Sequence, residues 1–513
     1  MKCKCCIFRY MVSRATVLPG LFMSPETELM LKPIIEEPGK AGHTKSASSV
    51  RWALASLSLS MLMPSLDTSI ANVGLPTLAR SFDASFQQVQ WIVLAYLLAI
   101  TTLIVSVGRL GDIFGRRRLL LIGISLFTLA SLFCGIAPTL WLLLAARGLQ
   151  GLGAAMMMAL TVAMVGEAVP KERTGSAMGL LGTMSAIGTT LGPSLGGILI
   201  ASFGWETIFL VNVPLGIVNF LLAARFLPAD RRDGKTAQGH LDGIGTLLLA
   251  LTLAAYALAM TIGHGSFGVL NIDLLLAAAS GIALFAFTET KVKSPLLRLS
   301  MFRDRKLSTG LAMSTLVSTV IMATLVVGPF YLSRTLGFDA AQVGAIMSAG
   351  PLVSALTGVP AGRIVDRFGA SRMTMTGLVG MIIGLFLMAA LQGRFGATGY
   401  IGPLVIVTSH YALFQASNNT TIMKDIRPEQ RGVISGMLSL SRNLGLVTGA
   451  SVMGAVFAFS SGTIDMMTAR PEAVANGMQI TFVVAALLIA ATLVIALTGL
   501  TFTKRSAVSR ETT

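Results

Sequence analysis

Fourteen apolar stretches, most of about 20 residues, follow one another along the chain and are separated by short polar or charged connections. A helix needs about 20 apolar residues to cross about 30 Å of hydrocarbon, and lipid admits only helices or closed barrels. A barrel strand would be shorter and would alternate in polarity. The sequence therefore predicts an all-α membrane protein with 14 transmembrane helices, over residues 52–74, 89–108, 119–137, 141–167, 175–201, 207–227, 243–262, 270–288, 309–331, 341–361, 373–391, 399–421, 432–459 and 478–502.

Charged residues are few, and the basic ones are concentrated in alternate connections between the apolar stretches. Charged residues make up 12% of the chain, about half the share in soluble domains. Of the 39 Lys and Arg residues, 33 lie in the leader, the tail and alternate connections. By the positive-inside rule, both termini are predicted to be cytoplasmic, in a multi-pass protein of the cytoplasmic (inner) membrane. This asymmetry also explains the net charge of +16 without a nucleic-acid partner.

The sequence contains an internal repeat. Residues 108–115, GRLGDIFG, return as residues 362–369, GRIVDRFG, and glycines at 188, 192 and 197 return at 445, 449 and 454. Two matches at nearly one offset predict two six-helix bundles in a parallel pseudo-repeat, with two further helices inserted between them. The predicted divisions are a cytoplasmic leader at 1–50, expected to be disordered, the first bundle at 51–227, a linker with two extra helices at 228–307, the second bundle at 308–502, and a cytoplasmic tail at 503–513.

These features resemble the major facilitator superfamily, and six, two and six helices resemble its fourteen-helix drug:proton antiporter branch, over about residues 50–505. The resemblance implies a major facilitator fold and a proton-coupled multidrug efflux antiporter that exports amphipathic toxic compounds by alternating access. It implies a small-molecule substrate and protons as partners in a lipid bilayer, a monomer, no cofactor, no metal and no enzymatic activity. The sequence carries no nucleotide-binding Gly-rich loop, which favours an ion gradient as the energy source.

Two other functions fit parts of the same pattern. One is a metabolite exporter or an uptake symporter built on the same scaffold. The other is a non-transporting membrane sensor or enzyme, which the lack of a catalytic constellation or a soluble output domain disfavours.

The loop after the second helix resembles the hallmark loop of the superfamily. Its glycines allow close helix approach, and its Asp can pair with a nearby Arg or cap a helix. We predict that Asp112 and Arg116 form a latch for one access state; the alternative is a basic turn that only fixes topology. The predicted latch residues in the two copies are Gly108, Asp112, Gly115, Arg116, Arg117, Gly362, Asp366 and Gly369.

The fifth helix carries a glycine row that is similar to the motif of antiporters in this superfamily. Glycine at helical spacing permits tight packing, and proline removes a backbone hydrogen bond and bends the helix. An ordinary small-residue packing face is the alternative. The predicted antiporter motif comprises Gly188, Gly192, Pro193, Gly196 and Gly197.

Asp67 and Arg147 are the predicted proton-coupling residues. Asp67 is the one carboxylate well inside a predicted span. Burial of a carboxylate in lipid costs at least a few kcal/mol, so it should face a cavity and take up protons reversibly. At 1.5 Å per residue, Asp67 lies about 24 Å from the inner end of the first helix and Arg147 about 10 Å from the outer end of the fourth. Both then lie in the outer half of the membrane, where a static ion pair is the alternative role.

Six residues are candidates for a substrate cavity. The aromatic pair in the second helix is more typical of interfacial anchors, and the amides of the twelfth helix are more typical of bonds between helices. The arginine near the middle of the thirteenth helix has no intramembrane acid in helices 9 to 14, so backbone carbonyls or an anionic group on the substrate would have to satisfy it. The candidates are Trp91, Tyr96, Gln150, Asn418, Asn419 and Arg442.

Overall fold

The computed structural model describes residues 47–169, 174–230, 243–262, 268–292, 299–391, 395–423, 431–462 and 469–511. This part of the chain is almost entirely helical and contains no strand, which confirms the predicted all-α fold. The predicted leader falls mostly outside the described residues.

One helix, or one interrupted helix, forms over each of the fourteen apolar stretches. The helices are α1 (Ala47–Ser81), α2 (Phe86–Phe114), α3 (Arg116–Gly135), α4 (Leu140–Ala168), α5 (Thr174–Phe203), α6 (Thr207–Leu210 and Asn212–Phe226), α7 (Gly243–Thr261), α8 (Val269–Lys291), α9 (Arg305–Arg334), α10 (Ala340–Met347 and Ala349–Phe368), α11 (Ala370–Ala390), α12 (Gly396–Met423), α13 (Arg431–Thr448, a π-helical turn at Gly449–Met453, and Gly454–Ser460) and α14 (Pro471–Glu511). A 3₁₀ turn at Leu299–Arg303 precedes α9. We refer to α1–α6 as the N-bundle and to α9–α14 as the C-bundle.

Within the described residues, 12 helices are long and apolar enough to cross a membrane. The two outside this set are α1, with 35 residues, and α12, with 28. Both are long enough to span, but polar side chains lower their hydropathy. The chain is therefore a multi-pass membrane protein, and the count of fourteen spans stays a prediction.

The repeated glycines produce a repeated helix contact. In the N-bundle, α5 packs on α1, where a side chain at Gly188 would meet the carbonyl oxygen of Leu62. In the C-bundle, α13 packs on α9, where a side chain at Gly449 would collide with the carbonyl oxygen of Thr319. Small residues let helix backbones approach closely in lipid. The duplicated sequence thus folds into duplicated packing.

The two bundles meet along two lines of contact. Along the first, the α2–α13 seam, Gln90 Nε2 donates to the carbonyl oxygen of Ala450, 3.0 Å away in the π-helical turn. Along the second, the α5–α10 seam, the backbones of Gly197 and Gly344 lie so close that a Cβ on either would collide with the other helix.

Three phenylalanines seal the same end of the bundles. Phe86, at the start of α2, packs edge-on against Phe330 of α9 at 4.7 Å and Phe457 of α13 at 5.3 Å between ring centroids. All three rings are buried. In the orientation predicted from the positive-inside rule, this end faces outwards.

The inserted helix α7 lies across the α2–α13 seam. It runs antiparallel to α2, with Trp91 donating to Thr261 at 3.0 Å near one end and Ser106 bonded to Thr246 at 2.8 Å near the other. On its other side, α7 packs against the π-helical turn of α13. The α7 helix is therefore attached to both bundles.

Candidate functional site

A polar network lies inside the N-bundle, and Asp67 is at its centre. One carboxylate oxygen, Oδ2, accepts from Arg147 Nη1 at 2.5 Å. The other, Oδ1, accepts from Gln150 Nε2 and from Asn212 Nδ2, each at 2.8 Å. All four side chains are fully buried. Three donors thus satisfy the hydrogen-bonding capacity of a carboxylate that has no access to solvent.

Four helices supply this network. Asp67 comes from α1, Arg147 and Gln150 from α4 and Asn212 from the start of the longer α6 segment. Ser131 of α3 accepts a further hydrogen bond from Gln150 Nε2 at 2.8 Å. Arg147 and Gln150 are three positions apart, so they lie on one face of α4. The network therefore ties four of the six N-bundle helices together.

The guanidinium of Arg147 is enclosed on several sides. Its Nε donates to the carbonyl oxygen of Ile92 in α2 at 2.9 Å, and Nη1 also reaches Gln150 Oε1 at 2.6 Å. Its centre lies 4.2 Å from the ring centroid of Tyr96 and 5.6 Å from that of Phe209, at cation–π distances. Its Nη2 is buried without a hydrogen-bond partner among the described residues.

The backbone beside Asp67 is shaped by the glycine and proline positions of α5. Pro193 has no N–H, so the carbonyl of Thr189 one turn earlier loses its helical donor. Ser69, two residues after Asp67, donates its hydroxyl to that carbonyl at 2.8 Å. Gly192 lies against the Ser69 side chain, where a Cβ would be 2.5 Å from the serine Cβ. The predicted antiporter motif is thus packed directly on the helix segment that carries Asp67.

The structure places the two predicted proton-coupling residues in direct contact. Depth along the helices predicts that they share one half of the membrane, but depth says nothing of Asn212. The longer α6 segment contains only two Asn residues, Asn212 and Asn219, among mostly apolar neighbours, and this is the signal that could have identified Asn212. A further buried carboxylate, Glu289, is 3% exposed near the C-terminal end of α8. The sequence pattern ends that span at residue 288, whereas α8 continues to Lys291.

The cavity candidates occupy different surroundings. Trp91 is bound to α7, and the buried hydroxyl of Tyr96 donates to the carbonyl of Pro64 at 3.2 Å. Asn418 is buried and donates to the carbonyl of Gly310 at 3.1 Å, whereas Asn419 is exposed. Gln150 belongs to the Asp67 network.

The remaining candidate, Arg442, is partly buried on α13. Its buried Nε has no hydrogen-bond partner among the described residues.

The predicted latch loop forms a tight turn in both copies. Gly115 joins α2 to α3 with φ +94°, and Gly369 joins α10 to α11 with φ +87°, a backbone conformation that favours glycine. Gly108 and Gly362 have open space around them. Asp366 is exposed, and the Asp112 side chain lies outside the described residues.

An acid that the sequence pattern does not indicate, Asp230, caps the first latch turn. Gly115 has no side chain to cap α3, and Asp230 instead accepts from the backbone N–H groups of Arg117 at 2.9 Å and Arg118 at 3.2 Å. The Arg117 side chain donates to the carbonyl of Ala224 in α6. Because a carboxylate at a helix N-terminus is stabilising, these bonds hold the end of α6 against the start of α3.

Comparison with known proteins gives a consistent result. Residues 57–450 match the family described as Major Facilitator Superfamily. The chain is 32% identical over 414 residues to multidrug resistance protein Stp of Mycobacterium tuberculosis, covering 80% of this chain and 77% of Stp. It is 31% identical over 411 residues to the riboflavin transporter RibZ of Clostridioides difficile, covering 80% of this chain and 89% of RibZ.

A solved structure shows the same fold. It is a bacterial homologue of the human lysosomal transporter Spinster in an inward-facing, unoccupied conformation, with a TM-score of 0.64 at 16% identity. The match covers 90% of this chain and 99% of that chain.

Proposed function

The chain belongs to the Major Facilitator Superfamily, and from this premise we propose that it is a proton-coupled antiporter that exports amphipathic toxic compounds. The superfamily and its relatives establish a multi-pass membrane transporter of small molecules rather than an enzyme. Proton coupling, multidrug efflux, the cytoplasmic membrane, cytoplasmic termini and a monomeric state are parts of the proposal.

The buried Asp67–Arg147 pair is the observation that carries it. Asp67 is a proton acceptor with no exposed surface, held by three donors from two other helices. Protonation removes the negative charge that neutralises Arg147, so the ion pair loses most of its stabilisation. The Arg147 side chain then moves relative to Asp67, and this motion changes the packing of α1 against α4.

That change reaches the bundle interface through the antiporter motif. Ser69 binds the Thr189 carbonyl of α5, and Gly197 of the same helix touches α10 in the other bundle. A shift of α1 therefore alters the α5–α10 seam. The predicted bundles at 51–227 and 308–502 rock against each other, and the latch turn at 108–118 with Asp112 stabilises one of the two access states.

The energy available is sufficient for export. One proton moving down 100 mV supplies about 2.3 kcal/mol, which sustains a concentration ratio of about fifty for a neutral compound.

The decisive experiment measures dye transport in inverted membrane vesicles. With an imposed proton gradient, the wild-type protein accumulates a lipophilic cationic dye, and an uncoupler abolishes accumulation. Asp67→Asn should lose gradient-driven accumulation but keep dye-for-dye exchange, because it removes only the protonatable group. Asp273→Asn, a change at an exposed acid near the start of α8, is the matched control and should transport normally. Gradient-driven accumulation by Asp67→Asn would exclude Asp67 as the proton carrier.

A second function, metabolite transport, is favoured by the resemblance to the riboflavin transporter RibZ. The same vesicles distinguish the two. Gradient-dependent movement of riboflavin without movement of several unrelated dyes would replace multidrug efflux by transport of a single metabolite.

A further inference from the structure

Unlike Arg147, Arg442 has no buried acidic partner among the described residues of the C-bundle. Arg147 is neutralised by Asp67. Within the described C-bundle, Asp304 and Asp339 cap the starts of α9 and α10, Asp366 is exposed near the end of α10, and Glu472 lies in the first turn of α14. These acids lie at helix ends, whereas Arg442 lies about 16 Å from the start of α13, near the middle of the span.

The contacts of α13 show which face of the helix carries Arg442. At about 100° per residue, Gly449 lies about 20° from Arg442 on one side and Ala450 about 80° on the other. Gly449 packs on α9 of the C-bundle, and Ala450 accepts from Gln90 of the N-bundle. Arg442 therefore lies between the face of α13 that contacts its own bundle and the face that contacts the other bundle.

The bonding state of Arg442 is incomplete. Its Nε is buried and has no hydrogen-bond partner among the described residues. A buried donor without a partner is costly, and a guanidinium binds a planar anion through two parallel hydrogen bonds. An anion arriving at this position would gain both the charge interaction and the unused donor.

We propose that Arg442 binds a carboxylate, sulfonate or phosphate group of the transported compound. This inference rests on the proposed function, since it assigns a chemical class to the exported substrate. The exported compounds then include amphipathic anions and zwitterions, whose acidic group contacts the C-bundle while the proton is carried by Asp67 in the N-bundle. Separation of the two charges explains why Arg442 needs no acid from its own bundle.

Equilibrium binding of a matched dye pair to the full-length protein in detergent tests the proposal. The probes are a xanthene dye with a free carboxylate and its ethyl ester, which differ in that charge. Arg442→Gln should weaken binding of the acid by roughly tenfold to hundredfold, the usual contribution of a charge-assisted hydrogen bond, and leave the ester within about twofold. Arg442→Lys should give an intermediate loss, because it keeps the charge without the fork.

Arg470→Gln, at an exposed site before α14, is the control and should bind both dyes like the wild type. Thermal unfolding of each variant verifies folding, and Arg442→Lys carries the comparison if Arg442→Gln does not fold. Equal loss for the acid and the ester, or no loss for either, overturns the proposal.

Inorganic phosphate is added as a competitor of the acid dye. If phosphate displaces the acid dye from the wild type but the acid dye is not transported in vesicles, Arg442 binds a free ion rather than the substrate, and the proposal is overturned. Gradient-driven transport of the ester in vesicles is measured separately. It reports on proton-coupled efflux and can succeed when the anion site fails; a protein that neither binds nor moves either dye overturns both proposals.

Discussion

Replacement of Gly344 by alanine tests how closely the two bundles must approach at the α5–α10 seam. A Cβ at this position would overlap the carbonyl oxygen of Pro193 and would lie 3.0 Å from the Cα of Gly197. Both contacts are with backbone of the other bundle, which cannot rotate away as a side chain can. The two helices must therefore move apart by about 1 Å to restore ordinary van der Waals contact.

The cost can be estimated from this geometry. Overpacking of this kind costs about 1–3 kcal/mol. This penalty destabilises only the states in which the α5–α10 seam is closed. At 1.4 kcal/mol per tenfold change, states with an open seam should become more populated by roughly fivefold to hundredfold. Gly358→Ala on the same helix is the matched control, because no atom lies within 4 Å of its added Cβ while its gain in helix propensity is the same.

Distances between spin labels on the two bundles report the result. The labels go on exposed cysteines introduced at Ser81, which ends α1, and at Arg470, which precedes α14, after replacement of the 4 native cysteines. Gly344→Ala should move the distance distribution towards longer values, and Gly358→Ala should leave it unchanged. Identical distributions for two well-folded variants would refute the close packing of this seam.

Three further outcomes follow from single hydrogen-bonding groups. Asp230→Ala should lower unfolding stability by about 1 kcal/mol through loss of the α3 cap, whereas Asp366→Ala, at the exposed equivalent turn, should change the melting temperature little. Asn219→Leu should cost about 1–3 kcal/mol in the same thermal assay, because buried serine hydroxyls of α1 lose their partner; an unchanged melting temperature would contradict this. Gln90→Leu should weaken the outer closure by about 1 kcal/mol, through loss of the bond to Ala450, and lengthen the same label distances; a shorter distance would count against it.

The helix positions were accessible from the sequence because hydropathy depends on composition alone. Each apolar stretch became helix, and the repeated glycines predicted two bundles that the folded chain forms. The internal breaks were not accessible: the π-helical turn at Gly449–Met453 lies in an apolar stretch with no proline to mark it.

The candidate site was accessible in part. Asp67 and Arg147 stand out because charge in lipid is costly, and counting residues from helix ends gives their depth. The contacts of Asn212 and Asp230 depend on how each helix is rotated about its axis, and on segments more than 100 residues apart in the chain. Neither property is encoded in local periodicity, so the three-dimensional arrangement was required.

The position of α7 removes an equivalence that the duplicated bundles would otherwise possess. Duplicated bundles alone would give two equivalent seams between them, and each seam would open with the same ease. Here the α2–α13 seam is bridged, since α7 is hydrogen-bonded to α2 through Trp91 and also packs against α13, so parting that seam strains one of these contacts. The other has no such bridge among the helices described. The two seams therefore differ in stiffness during the transport cycle. The α2–α13 seam resists separation more strongly, and the larger opening is expected at the α5–α10 seam.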